Sequence, residues 1–176
     1  MAGKIASAVL AIAAIAASGP VHAAERHDFG RPATPQEVKG WDIDVSPDGA
    51  GLPPGHGDVQ QGEAIFAEKC ASCHGAHGEG KPMDRLVGGM GTLRDKKAEK
   101  TVGSFWPYAT TMFDYVRRAM PYNESKTLSP DEIYAVVAYV LNLNGVIGDT
   151  DVINAQTLPN VKMPNRDGFI LFHRGE

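Results

Sequence analysis

Cysteine is scarce in this 176-residue chain, which carries two. Two thiols exclude a disulfide-stapled scaffold and any four-thiolate zinc site, and leave a single pair to explain. Basic side chains are also outnumbered, 17 Lys and Arg against 21 Asp and Glu. Bulk nucleic-acid binding needs a basic footprint, so that class of function is set aside. No apolar run reaches the roughly 18 to 20 residues needed to span a bilayer as a helix. The longest, at 5–17, stops at Gly19-Pro20. What remains is ordinary globular composition, 43% hydrophobic and 22% charged, enough for one domain with extensions.

The apolar run has a different use. Lys4 precedes it, Gly19-Pro20 breaks it, and Val21-His22-Ala23 follows as a small-residue cleavage site. Residues 1–23 therefore read as a cleaved secretory signal, with the mature chain starting near Ala24. Loss of Lys4 leaves 16 basic against 21 acidic side chains. The expectation is an exported, periplasmic protein with no membrane span after processing.

The two cysteines stand in Cys70-Ala71-Ser72-Cys73-His74. This is the attachment pattern of a c-type haem. Two thiols add across the haem vinyl groups as thioethers, and a histidine one residue later reaches the iron. One covalent haem c through Cys70 and Cys73, with His74 as metal ligand, is the expected cofactor. A thioredoxin-like pair needs a βαβ setting and a reactive thiolate, whereas the flanks here are a short helix pattern and a glycine-rich loop. Zinc would have to recruit His74, His77 or His56.

Helical signals surround the motif, and the expected fold class is all-α. Asp58 caps a helix in which Gly62, Phe66 and Cys70 recur every four residues in one stripe. Gly62 costs helix stability, about 1 kcal/mol against Ala, unless another helix comes close. The glycines at 75–91 make a loop that passes something flat and bulky. Thr110 or Thr111 is expected to cap a second helix with Met112, Phe113, Val116 and Met120 on its apolar face, closed by Pro121. The third is best defined: Ser129 as N-cap, Pro130 at N1, Glu132 closing the box, Gly145 at C′. Its buried face comprises Ile133, Val136, Val137, Tyr139, Val140 and Leu141, with Tyr139 or a small neighbour meeting Gly62.

Outside this frame the chain is irregular. Prolines punctuate 24–57, where Thr34 and Glu37 start one short helical turn and Trp41, Ile43 and Val45 suggest an extended piece with one apolar face. Residues 146–176 lack periodicity yet are too apolar for a free tail. The expected domains are thus the signal at 1–23, an N-terminal extension at 24–57, a helical domain at 58–145 and a C-terminal extension at 146–176. Arg94, Lys96, Lys97 and Lys100 form the sole basic cluster, either a solvated loop or a docking patch. Trp106 and Tyr108, in an aromatic run at 105–108, either donate hydrogen bonds to a haem propionate or simply pack.

A helix carrying Gly62 and Phe66 into C-x-x-C-H, a methionine before a proline, and a capped last helix resemble a class I cytochrome c over 58–145. That resemblance, with the helix-to-loop position of Met120, implies Met120 as the sixth ligand among Met83, Met90, Met112, Met120 and Met163. A narrower one extends further. Residues 30–35, 41–45, 85–89, 104–111, 117–121 and 163–169 are similar to cytochrome subunits paired with molybdenum sulfite or sulfane dehydrogenases, including the SoxD group. It implies a non-catalytic electron-transfer protein that accepts electrons from a periplasmic molybdopterin enzyme and passes them to a downstream acceptor. One haem motif instead of SoxD's two favours a sulfite dehydrogenase subunit; a generic shuttle and a sulfane dehydrogenase subunit are the alternatives.

Overall fold

The helix that organises the domain starts where its capping box lies. Ser129 accepts from the Glu132 N–H, Glu132 accepts from the Ser129 N–H, and Pro130 fills the first turn. This is α6 (Pro130–Leu143), buried at every position from Ile133 to Leu141. Gly145 follows with φ of +66°, and Val146 N–H donates back to Leu141 O, closing the helix as a glycine-terminated end.

The computed structural model describes residues 29–170; the signal expected at 1–23 lies outside them. Described elements follow in the order α1 (Pro35–Trp41), β1 (His56–Asp58), α2 (Val59–Lys69), α3 (Ala71–His74), α4 (Val102–Phe105), α5 (Ala109–Ala119), α6 and β2 (Val152–Asn154). Short 3-10 turns stand at Thr92–Arg94 and Leu158–Asn160. The fold is mostly helical, as expected, with one two-stranded antiparallel sheet that the sequence did not signal.

Asp58 caps α2 by accepting from Gln61 N–H, with Gln61 reciprocating. The helix then crosses α6 at Gly62. A Cβ built there would stand 1.9 Å from Ala135 O and 2.8 Å from Tyr139 Cβ. Glycine is the only residue that lets these two backbones approach so closely, which answers its cost to the helix. Next to it Phe66 packs a tilted ring on Tyr139, centroids 5.3 Å apart.

α5 begins earlier than the threonines suggested. Tyr108 is its N-cap and makes no side-chain capping bond, while Thr110 is buried inside the first turn and donates to Pro47 O at 3.2 Å. Neither Thr110 nor Thr111 is the cap. Met112, Phe113 and Val116 are buried as expected.

The described chain divides into two units between Glu37 and Val38. In the first, Thr34 and Glu37 form the capping box read from sequence, and Glu37 also pairs with Arg31. In the second, the stretch before β1 lies against the helices: Val45 N–H donates to Asp114, Arg117 to Ile43 O, and Tyr134 O–H to Pro53 O. The extended piece holds for half-buried Ile43 and Val45 but not for Trp41. Trp41 ends α1 with 77% of its surface exposed, under the Lys126 ammonium. After α6, β2 pairs with β1 (Gly57 opposite Ile153), and Ile153, Leu158 and Met163 are buried. The C-terminal stretch therefore wraps its own domain.

Candidate functional site

α2 delivers the cysteine motif to the edge of the core. Cys70 ends α2, its N–H bonded to Phe66 O, and α3 carries Cys73 and His74 one turn further. Both cysteines are free; Cys70 is half-buried and Cys73 exposed. Burial, with Cys73 beside it, pushes the Cys70 thiol up to about 11. A reactive redox pair favours the opposite shift, and the motif stands between two helices, α2 and α3, without the βαβ setting of the thioredoxin-like reading. Zinc fails too, because among the described residues no three His, Cys, Asp or Glu side chains converge.

His74 is held in one orientation. Its Nδ1 lies 2.8 Å from Asp84 O, and a backbone carbonyl can only accept, so Nδ1 carries the proton and Nε2 keeps its lone pair. This is the usual way an outer partner sets a ligating imidazole. The loop after the motif is tied to it twice more, by Gly80 N–H to His74 O and Met83 N–H to Cys73 O. Gly78 and Gly89 both have positive φ, and a Cβ there would collide with Val87 and with Glu99 O. The glycines thus serve the loop's own tight path.

Met120 follows α5, its N–H donating to Val116 O, with extended backbone before Pro121. It is half-buried, and Cys70, Ala71, Leu86, Trp106 and Met120 all border the same buried cluster. Trp106 and Tyr108 lie on the short link between α4 and α5, both half-buried, with Trp106 edge-on to exposed Tyr115 at 5.8 Å. Neither the Trp106 N–H nor the Tyr108 O–H is spent on any described residue, whereas Tyr134 O–H donates to Pro53 O.

These residues fit a covalent haem: two free thiols in register, an imidazole with Nε2 available, a soft thioether, and unspent donors for the acidic edge. Three contacts around these residues were not legible from sequence. Asp84 acts through its backbone carbonyl, which no side-chain pattern marks. Asn165 donates to Phe105 O at 2.7 Å, and Arg166 stacks on Tyr108 at 4.3 Å, both from the stretch after α6. A proline-rich stretch without periodicity says nothing of where it docks.

The cytochrome c family profile matches residues 59–144. A chain in the crystal structure of the sulfane dehydrogenase SoxCD from Paracoccus pantotrophus is 45% identical, with a TM-score of 0.78, covering 85% of this chain and 74% of that one. A thiosulfate dehydrogenase from Psychrobacter arcticus is 31% identical over 107 residues, 56% of this chain. Those residues span 31% of the length of that relative.

Proposed function

This chain belongs to the cytochrome c family, electron-transfer proteins with covalent haem c, and from that premise we propose that it is the periplasmic monohaem subunit accepting electrons from a molybdenum sulfite dehydrogenase. The observation that carries the reading is the reach of the likeness. It extends over 85% of the chain to a chain of a sulfane dehydrogenase, well beyond residues 59–144. A generic shuttle has no need of the flanking stretches, which here pack on the helices through Asp114, Tyr134 and Phe105.

Bound haem supplies a one-electron couple. Cys70 and Cys73 would tether it, and His74 Nε2 and Met120 Sδ would be its protein ligands. Thioether and imidazole ligands together would raise the potential and would leave no site for a substrate. The iron would carry electrons without making bonds. Asp84 O keeps the imidazole aligned, so little has to move between the two oxidation states.

The test is reduction of the purified holoprotein by a candidate molybdenum dehydrogenase, followed in the haem absorption bands. Sulfite-dependent reduction by a copurifying enzyme is the expected result. Reduction with protein-bound sulfane sulfur but not sulfite would shift the assignment to a sulfane dehydrogenase, the reading favoured by the name of the 45% identical relative. No copurifying dehydrogenase and no sulfur-dependent reduction would leave a general shuttle.

A further inference from the structure

The stretch after β2 reaches the aromatic link and places a cation there. Met163, 3% exposed, anchors it in the core. The Arg166 N–H donates to Met163 O and the Gly168 N–H to Asn165 O, so residues 163–168 form two consecutive tight turns. Asn165 donates to Phe105 O at 2.7 Å, and Phe169 meets the Phe105 ring edge-on at 5.2 Å. Contacts on both sides hold Arg166 in place, its guanidinium carbon 4.3 Å from the centre of the Tyr108 ring.

What this arginine lacks is an acceptor. Arg31, Arg85, Arg117 and Arg118 each spend N–H groups on a protein oxygen, whereas exposed Arg94 spends none on a described residue and stacks on no described ring. Arg166 spends none among the described residues, and does not pair with its neighbour Asp167. Arg166 is exposed, so water satisfies its edge donors until a ligand takes them, and what sets it apart from Arg94 is the stack on Tyr108 that fixes its position. A guanidinium stacked face-on uses its π surface and leaves its edge donors free, in the fork that matches a carboxylate. The Trp106 N–H and Tyr108 O–H on the same link are equally unspent.

We propose that Arg166 belongs to the haem site as the cation that holds a haem propionate, with Tyr108 as its stacking platform. The proposal rests on haem attachment at Cys70 and Cys73 but not on the identity of the electron donor. Haem carries two carboxylates that need donors and counter-charge in an acidic protein. Arg166, Trp106 and Tyr108 together offer a charged fork and two neutral donors from one patch. The C-terminal stretch is then part of the cofactor pocket.

The experiment is a spectroelectrochemical titration of the isolated, full-length holoprotein between pH 5 and 9, comparing wild type with Arg166→Gln, Arg166→Lys and Lys162→Gln. Removing a cation beside the haem disfavours the reduced, less positive state, so Arg166→Gln should lower the potential. It should also raise the propionate's titration, bringing a pH-dependent step into the measured range. Arg166→Lys should restore most of the potential, and Lys162→Gln, an exposed cation on the same stretch, should change neither. If Arg166→Gln takes up no haem, Tyr108→Leu supplies the second arm, and the same downward shift and step are expected. An Arg166→Gln curve that overlays wild type, or an equal fall in Lys162→Gln, overturns the proposal. In the Tyr108→Leu arm, an unshifted curve does the same. Because the potential is read without a partner enzyme, a failed sulfite assay leaves this result standing, whereas wild-type protein without covalent haem overturns both.

Discussion

The α2–α6 crossing and the haem-side edge are both built around glycines, but the glycines do different things. At the crossing, Gly62 makes room: its backbone is ordinary helix, and a side chain would strike Ala135 O. On the other side, Gly75, Gly78, Gly80, Gly88, Gly89 and Gly91 all have positive φ, and Gly91 has nothing within 4 Å of where its Cβ would be. The first region is determined by side-chain packing, the second by the path of the backbone. Each therefore breaks in its own way, and variants can separate them.

The largest effect is expected from Cys70→Ser with Cys73→Ser, which removes both thioethers. Covalent haem should be lost completely in a pyridine haemochrome assay on denatured, acid-extracted protein. Haem remaining covalently bound would contradict the assignment of these two residues.

Met120→Ala tests the opposite side of the same edge. The covalent haem should stay, while the long-wavelength band of methionine-ligated ferric haem disappears and the potential falls. Retention of that band would show that another methionine, Met83, Met90, Met112 or Met163, is the ligand. Gly62→Leu moves the test to the crossing. Overpacking against a backbone carbonyl that cannot swing aside should cost about 3 kcal/mol in denaturant unfolding of the holoprotein. Gly91→Ala, strained in φ but sterically open, should cost about 1 to 2 kcal/mol. Equal costs for the two would erase the distinction between packing and path.

The frame was legible because its signals are local and redundant. Ser129, Pro130 and Glu132 mark one helix start, Asp58 another, and the four-residue spacing of Gly62 and Phe66 points at the partner helix. The cysteine motif is equally local. What could not be read is whatever depends on backbone atoms or on distant pairing. Asp84 orients His74 through a carbonyl every residue possesses. The three-residue strands β1 and β2 are too short to alternate, and they pair across about a hundred residues. Thr110 resembles a cap, but tertiary contact with Pro47 takes its hydroxyl and helix α5 starts one residue before it. Trp41 alternates with Ile43 and Val45 as a buried residue should, yet the end of α1 turns it outward. Periodicity reports a face and not which element continues it.

The smallest effect expected is also on the frame, at the start of α6. Ser129 N–H and O–H both donate to the Glu132 carboxylate, at 2.8 Å each, and these bonds hold its pKa below the usual carboxylate range. A group whose pKa is lower in the folded state adds stability above its unfolded pKa. That stability is lost as pH falls through the ordinary carboxylate range and on through the depressed folded value. Ser129→Ala should cost about 1 kcal/mol at neutral pH, the usual worth of an N-cap. The box is largely exposed, so its charged part is screened by solvent and no larger figure is warranted. Below the folded pKa of Glu132 the carboxyl is neutral in both proteins, and the gap between wild type and Ser129→Ala should narrow. Denaturant midpoints measured from pH 7 down to pH 3 check this. A gap independent of pH would mean that the hydroxyl acts only on the backbone N–H of Glu132 and that the carboxylate contributes nothing.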